Sequence, residues 1–246
     1  MKDFFAHIRA RIKAWEYFRQ GKITFKEALL SMVPTRFRSS YATTFFDKPF
    51  IISDGNVMVF LALKSEIITS NQYRVELVKD HAIDAGANVG VFSIYASIKH
   101  PDATIYAFEP NPSTFKALQE NTKYYSNIKV FNCGLGEKNA MASLIPTNYS
   151  VMSRIGEGGI PVEMKTVDSF GIPADFIKMD TEGYEANILR GAAETIKKHK
   201  PIIVMSAYHN PDDKTELPAL LNTITPYDCE LRHDEEEDLV CRPVSA

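Results

Sequence analysis

The stretch AIDAGANVGVFS, residues 82–93, begins as a strand and ends as a helix, with two glycines at the junction. Ala82–Ala85 is a short, mostly apolar run, and a helix opens after Gly90. Gly86 and Gly90 let the backbone turn tightly and approach a ligand, and amides at a helix start point into that space. The spacing is Gly86-x-Asn88-x-Gly90, preceded by Asp84. A dinucleotide loop requires G-x-G-x-x-G, but here the second position is Asn88 and the sixth is Val91. The bulk of Asn88 opposes close approach to a pyrophosphate. An acid ahead of the first glycine suits a cationic amino acid better than a phosphate.

Outward from this loop, strands alternate with helices. The strand candidates are Ala82–Ala85, Thr104–Phe108, Ile128–Asn132, Phe176–Met179 and Ile202–Ala207. The clearest helix lies in NPSTFKALQENTKYY, with Asn111 as N-cap, Pro112 at the first helical position, and Phe115, Leu118 and Tyr125 inward. Such alternation predicts crossover connections and a doubly wound, mostly parallel α/β sheet. NAMASLIP and VEMKTVDSF read as an inserted pair of strands around a Gly-rich loop. YDCELRH and DLVCRPV read as a terminal antiparallel hairpin, with acidic residues 234–238 as a solvated turn.

In such a sheet, ligands bind at the carboxyl ends of the parallel strands. Asp84–Gly86, Glu109, Asn132–Gly134, Asp180–Glu182 and Tyr208-His209 all fall there. Glu109, in YAFEPNP, ends the second strand, where an acid accepts hydrogen bonds from both ribose hydroxyls. Asp180 and Glu182 lie in DFIKMDTEGYEANILRGA, between a buried strand and a helix on which Ile188, Leu189, Ala192 and Ile196 recur at helical spacing. Each has a structural alternative. Asp180 or Thr181 serves equally as an N-cap, acids suit a helix N-terminus, and Gly183 suits an unusual backbone angle. His209 is either a general base or a hydrogen-bonded rim histidine, while Arg232 and His233 read as surface residues of an edge strand.

Asp84, the glycine loop and Glu109 together resemble the nucleoside site of class I S-adenosylmethionine-dependent methyltransferases. IDAGANVGVFS, AFEPNP, NCGLG, TVDSF, FIKMDTEGYEANILRGA and YHNPDD resemble, in that order, the FkbM family of methyltransferases. The resemblance runs from about Ala82 to Arg232. It implies a seven-stranded sheet with an antiparallel last strand, in keeping with the terminal hairpin. It also implies methyl transfer from S-adenosylmethionine to a hydroxyl of a sugar, glycolipid or polyketide-like small molecule. Asp84, Gly86, Asn88, Gly90, Glu109, Asn132 and Gly134 are then the expected cofactor-binding residues. His209 is the expected base, and Asp180 and Glu182 orient the acceptor or the cofactor's ammonium. Hard oxygen ligands would suit Mg²⁺ at Asp180, Glu182 and His209, but no compact ligand cluster requires a metal.

The resemblance does not extend to residues 1–80, which read as a separate helical and hairpin extension ahead of a methyltransferase domain at 81–246. Phe4, Ile8, Ile12, Trp15 and Phe18 give residues 3–19 an amphipathic helical pattern, and a second short helix is expected from Phe25 to Met32, ending before Pro34. In PFIISDGNVMVFLALKSEIIT, Asp54-Gly55 between two β-rich runs predicts a hairpin. The 246 residues are 45% hydrophobic and 24% charged, with a net charge of −3. Residues 1–40 hold nine Lys/Arg and three Asp/Glu, a net of +6 that points to a separate role for this segment. It is expected to dock on the domain or pair with a second subunit. Peripheral contact of residues 1–38 with an anionic membrane stays open, as does a homo-oligomer.

No apolar run approaches a membrane span and no secretory signal is evident, so the chain is expected to be cytoplasmic. Cys133, Cys229 and Cys241 show no CxxC pairing and an odd count, and read as ordinary thiols of a reducing cytoplasm, not as a metal site or disulfide frame. The acidic main domain and the absence of an Asn-Pro-Pro-Tyr-like element oppose nucleic-acid methylation. Two other readings remain. An NAD-dependent oxidoreductase is opposed by the loop spacing and the terminal hairpin, and a non-catalytic nucleoside-binding module by the acids and histidine beside the cofactor site.

Overall fold

The computed structural model describes Arg19 and residues 41–52, 57–145, 154–234 and 236–244. An antiparallel hairpin, β1 (Tyr41–Phe45) and β2 (Lys48–Ile52), turns at Phe46-Asp47, where φ is 47° and 61°. Helix α1 (Val57–Lys64), a π-helical turn at Ser65–Thr69 and a 3-10 turn at Val75–Leu77 follow. The hairpin expected about Asp54-Gly55 is therefore corrected. The first run, as β2, pairs backward with β1, and the second run is helical. VMVFLALK is apolar almost throughout, so it carries neither a period of two nor one of 3.6 to decide between strand and helix. Asp54-Gly55 itself, the helix expected at Phe25–Met32 and, apart from the helical backbone of Arg19, the helix expected at 3–19 lie outside the described residues.

The alternating part follows as β3 (His81–Ala85), α2 (Val91–Lys99), β4 (Thr104–Phe108), α3 (Pro112–Thr122) and β5 (Ile128–Phe131). Asn111 caps α3, its Oδ1 accepting from the Ser113 amide at 3.0 Å, with Pro112 opening the helix. The insertion contains β6 (Gly134–Leu135), β7 (Ala140–Ile145), β8 (Arg154–Ile155) and β9 (Ile160–Lys165), with β7 and β9 antiparallel as the sequence suggests. The chain continues through β10 (Phe176–Met179), α4 (Glu185–Gly191), α5 (Ala193–His199), β11 (Ile202–Ser206), α6 (Asp213–Ile224), β12 (Tyr227–His233) and β13 (Glu237–Pro243).

The central sheet has seven strands in the order β12-β13-β11-β10-β3-β4-β5. β11, β10, β3, β4 and β5 pair in parallel, while β13 runs antiparallel between β11 and β12. Chain order jumps from β3 to β10 at the middle of the sheet. That switch point is where the carboxyl ends of two neighbouring strands diverge and leave a crevice.

β10 is buried on both faces, and its side chains alternate between two cores. Phe176 stacks on Phe92 in a cluster shared with Phe45, Phe50 and Phe60 from the first hairpin and α1. Ile177 and Met179 join Phe108, Ile188, Leu217 and Leu239 on the other face. Each fully buried ring or branched chain of this kind stabilises the fold by roughly 1.5–3 kcal/mol. Asn121 ties the pieces together near the glycine loop. Its Oδ1 accepts from the Ile51 amide at 2.6 Å, and its Nδ2 donates to the carbonyls of Ile51 and Val89, both at 2.9 Å.

Two further expectations are corrected at the terminal hairpin. Cys229 and Cys241 form a disulfide, whereas Cys133 is a buried thiol. The two half-cystines are twelve residues apart but face each other in the β12–β13 register, so pairing follows from the hairpin and not from local spacing. The thiol argument for a reducing compartment lapses with this pairing. Asp238, expected in a solvated turn, belongs to β13 and is completely buried opposite Ser206. Among the described residues, no helix is long and apolar enough to cross a membrane.

Candidate cofactor and acceptor site

A cavity of about 370 Å³ opens at the switch point, within the range of small-molecule sites. One side is built by the loop after β3 and the end of β4. Gly86 takes φ +76°, and a Cβ there would lie 2.1 Å from the Asp180 carbonyl oxygen, so only glycine fits. The amides of Gly86 and Ala87 donate to the Phe108 carbonyl at 3.1 and 2.9 Å. Glu109 accepts from the Asn88 amide at 3.0 Å and the Asn111 amide at 2.8 Å, one on each carboxylate oxygen. It still lines the cavity. Burial pushes its carboxyl up to about 7, against the downward pull of those two amides and of Lys178.

The sequence-derived cofactor residues divide accordingly. Gly86, Asn88, Glu109 and Gly134 line the cavity, while Asp84, Gly90 and Asn132 do not. Asp84 is fully buried behind the loop, 3.0 Å from the Lys178 ammonium, and accepts from Ser93 Oγ at 2.6 Å. Gly90 begins α2, its carbonyl accepting from the Ile94 amide at 2.9 Å. Asn132 braces the β4 end from outside by donating to the Glu109 carbonyl at 2.9 Å.

The other side of the cavity carries Asp180, Thr181, Glu182, Tyr184, Tyr208 and Glu236. Asp180 Oδ2 accepts from Tyr73 OH at 2.9 Å. The N-cap alternative for Thr181 is realised differently, because its amide and hydroxyl both donate to Glu185 Oε1, at 2.8 and 3.0 Å. Glu182 takes φ +57° and Gly183 φ +92°, which turns the chain sharply after β10 and brings Glu182 to the wall.

His209 is brought close to both acids but lies behind them. Its side chain is 7% exposed and does not line the cavity. Nε2 lies 3.8 Å from Asp180 Oδ1 and 3.7 Å from Glu182 Oε2, and Nδ1 lies 3.3 Å from Glu185 Oε1. The Glu185 contact is the shortest of the three. Burial favours the neutral ring, but Glu185, Asp180 and Glu182 outweigh it and hold His209 up at about 9. A cationic imidazole has no lone pair with which to take a proton at neutral pH.

Several site residues escape a reading of the sequence. Glu66 and Ile67 reach the wall from the π-helical turn, and Glu236 from the connection between β12 and β13, whereas Tyr208 lines it from the strand end read in the sequence. Lys178 carries the one signal that was visible, a lysine inside an otherwise apolar buried strand. Asp238, Ser206 and Gln72 form a buried polar group near Asp180. Burial, with Asp180 and Glu236 nearby, raises Asp238 to about 8. Among the described residues, no group of three or more His, Cys, Asp or Glu is arranged to hold a metal ion.

The strand order, the glycine cradle and an acid at the end of β4 define a class I S-adenosylmethionine-dependent methyltransferase fold. The cradle fits that cofactor, since Glu109 keeps acceptor capacity toward the cavity beside a loop closed to any larger residue. The Methyltransferase FkbM domain matches residues 84–232, and the chain belongs to the FkbM family of methyltransferases. This family membership removes the oxidoreductase reading.

"Methyltransferase 1" of Beauveria bassiana is 28% identical over 163 residues, covering 52% of this chain and 66% of that protein. The "Hexuronic acid methyltransferase AglP" of Haloferax volcanii is 28% identical over 144 residues, covering 54% of this chain and 59% of AglP. The crystal structure of a methyltransferase FkbM from Methylobacillus flagellatus is similar with a TM-score of 0.53 at 23% identity. That likeness covers 76% of this chain and 54% of the Methylobacillus chain.

Proposed function

We propose that the chain transfers a methyl group from S-adenosylmethionine to a hydroxyl of a sugar, glycolipid or polyketide-like small molecule. The observation that carries this reading is the placement of Asp180 against the glycine cradle. Its carbonyl abuts Gly86, and its carboxylate lines the same cavity as Glu109. Relatives support the acceptor class, being named for a hexuronic acid and for 31-O-demethyl-FK506. A wall bearing Asp180, Glu182, Glu236 and Tyr208 suits a polyhydroxylated acceptor, whose O–H groups need acceptors.

When bound, S-adenosylmethionine supplies an electrophilic methyl on a sulfonium whose departure leaves a neutral thioether. The chain's task is then to position the acceptor and remove one proton. Glu109 and the loop at Gly86–Asn88 hold the ribose and the amino-acid end. Asp180 takes the acceptor's hydroxyl proton as the new O–CH₃ bond forms and the S–C bond breaks. Tyr73, donating to the other oxygen, fixes the carboxylate's orientation. Glu182 orients the acceptor. His209 acts from behind as a cation that holds Asp180, Glu182 and Glu185 together, and the base role expected of it passes to Asp180.

A screen with methyl-labelled S-adenosylmethionine against sugar nucleotides, glycolipids and extracted metabolites tests this reading. Label is expected in an alkali-stable methyl ether. Label confined to amine or carbon positions would overturn the O-methyl assignment.

A further inference from the structure

Lys178 is 3% exposed in the middle of the sheet, and the chemistry above makes no use of it. Its ammonium lies 3.0 Å from Asp84 Oδ1 and donates to the carbonyl of Gly86 at 2.9 Å and, more weakly, to that of Ala85 at 3.4 Å. The rings of Tyr73 and Phe92 lie over the same ammonium, at 5.3 and 5.9 Å from their centroids. Burial disfavours the charge, but Asp84 and Asp180 outweigh it, so the group stays cationic.

The consequence falls on Gly86. Its amide is tied to β4 through the Phe108 carbonyl, and its own carbonyl is tied to β10 through Lys178. A glycine at positive φ has wide backbone freedom, so its conformation must be imposed from outside. Here two neighbouring strands impose it from opposite directions.

We propose that Lys178 is a positioning residue of the cofactor site. It holds the Gly86 peptide in the conformation that receives the cofactor, and Asp84 keeps the ammonium in place. Asp84 then serves the cofactor indirectly, which accounts for its absence from the cavity wall. Tyr73 extends the same network to the acceptor side, since it covers Lys178 and donates to Asp180. The inference rests on the cofactor reading of this cavity, and its test separates the two.

Lys178→Met alone strands a buried carboxylate and endangers folding, so the informative protein is the double variant Asp84→Asn with Lys178→Met. Removing both charges of a buried pair is often neutral or stabilising. S-adenosylhomocysteine is titrated calorimetrically into the wild type and the double variant, with thermal midpoints measured alongside. The expected result is a double variant with a near-wild-type midpoint whose affinity falls about 10- to 100-fold, the worth of a charge-assisted hydrogen bond. A merely structural pair would restore affinity together with the midpoint. A folded double variant that binds as tightly as the wild type overturns the inference alone. A wild type that takes up no S-adenosylhomocysteine overturns the cofactor reading and this inference with it. Should the double variant melt well below the wild type, Lys178→Arg decides, because it keeps the charge but replaces a point donor with a planar fork. Reduced affinity at an unchanged midpoint in Lys178→Arg supports positioning, and unchanged affinity overturns it.

Discussion

On the cofactor side of the cavity, Glu109 accepts one backbone amide on each oxygen, and Asp84 is held between Lys178 and Ser93. On the acceptor side, His209 lies 3.3–3.8 Å from Asp180, Glu182 and Glu185, and Asp238 is buried behind Asp180 with its carboxyl pushed up to about 8. Ionisable groups buried this close together set one another's charge. The first side is thus organised in advance around one fixed ligand. The second gathers ionisable groups whose charges depend on one another.

That contrast can be broken most severely at Asp180. Asp180→Asn keeps an acceptor for Tyr73 OH but loses the base, so turnover should fall by about 10²–10⁴. S-adenosylhomocysteine affinity should stay within a few-fold. Undiminished turnover in the labelled-transfer assay would remove Asp180 from the base role and reopen Glu182.

His209 offers the next largest effect, read in stability. Its folded pKa, about 9, stands above the unfolded value of about 6.5. Its contribution is therefore fully present below pH 6.5 and lost as pH rises through 9. His209→Gln should cost on the order of 2 kcal/mol near pH 6 and little near pH 9.5. A deficit that is the same across this range would contradict a cationic histidine among Asp180, Glu182 and Glu185.

Asp238 should show the opposite sign in alkali. Its folded carboxyl is raised to about 8, so protonation is favoured in the folded state. A destabilising contribution then grows as pH climbs from the ordinary carboxylate range through 8. Asp238→Asn removes it, and the thermal midpoint should gain a few degrees at pH 9 with little change at pH 5. Equal shifts at both pH values would show that Asp238 titrates normally.

The same contrast governs what the sequence reveals. The cofactor side is written within local windows, because the glycine loop and Glu109 each sit at one strand end. Strand positions follow for the same reason, with Thr104–Phe108 and Phe176–Met179 reproduced at both boundaries. The acceptor side is assembled from segments that local pattern cannot join. Tyr73 meets Asp180 across more than a hundred residues, and Tyr208 after β11 joins Glu236 from the connection between β12 and β13. His209 was placed near the acids by strand-end logic, but its charge depends on Glu185, a buried acid on α4 that no spacing rule couples to it. The disulfide needed the hairpin register, and α1 needed the tertiary contacts of Phe60 and Leu61.

Glu109 is expected to grip the cofactor as a carboxylate inside a preorganised cradle. Its pKa of about 7 makes this directly measurable by calorimetry with S-adenosylhomocysteine at pH 6 and pH 8. Affinity should rise about tenfold across that interval in the wild type, as the ionised fraction rises. In Glu109→Gln it should be flat, and at pH 8 well below that of the wild type. Equal affinities at both pH values, shared by the wild type and Glu109→Gln, would show that no Glu109 carboxylate holds the cofactor.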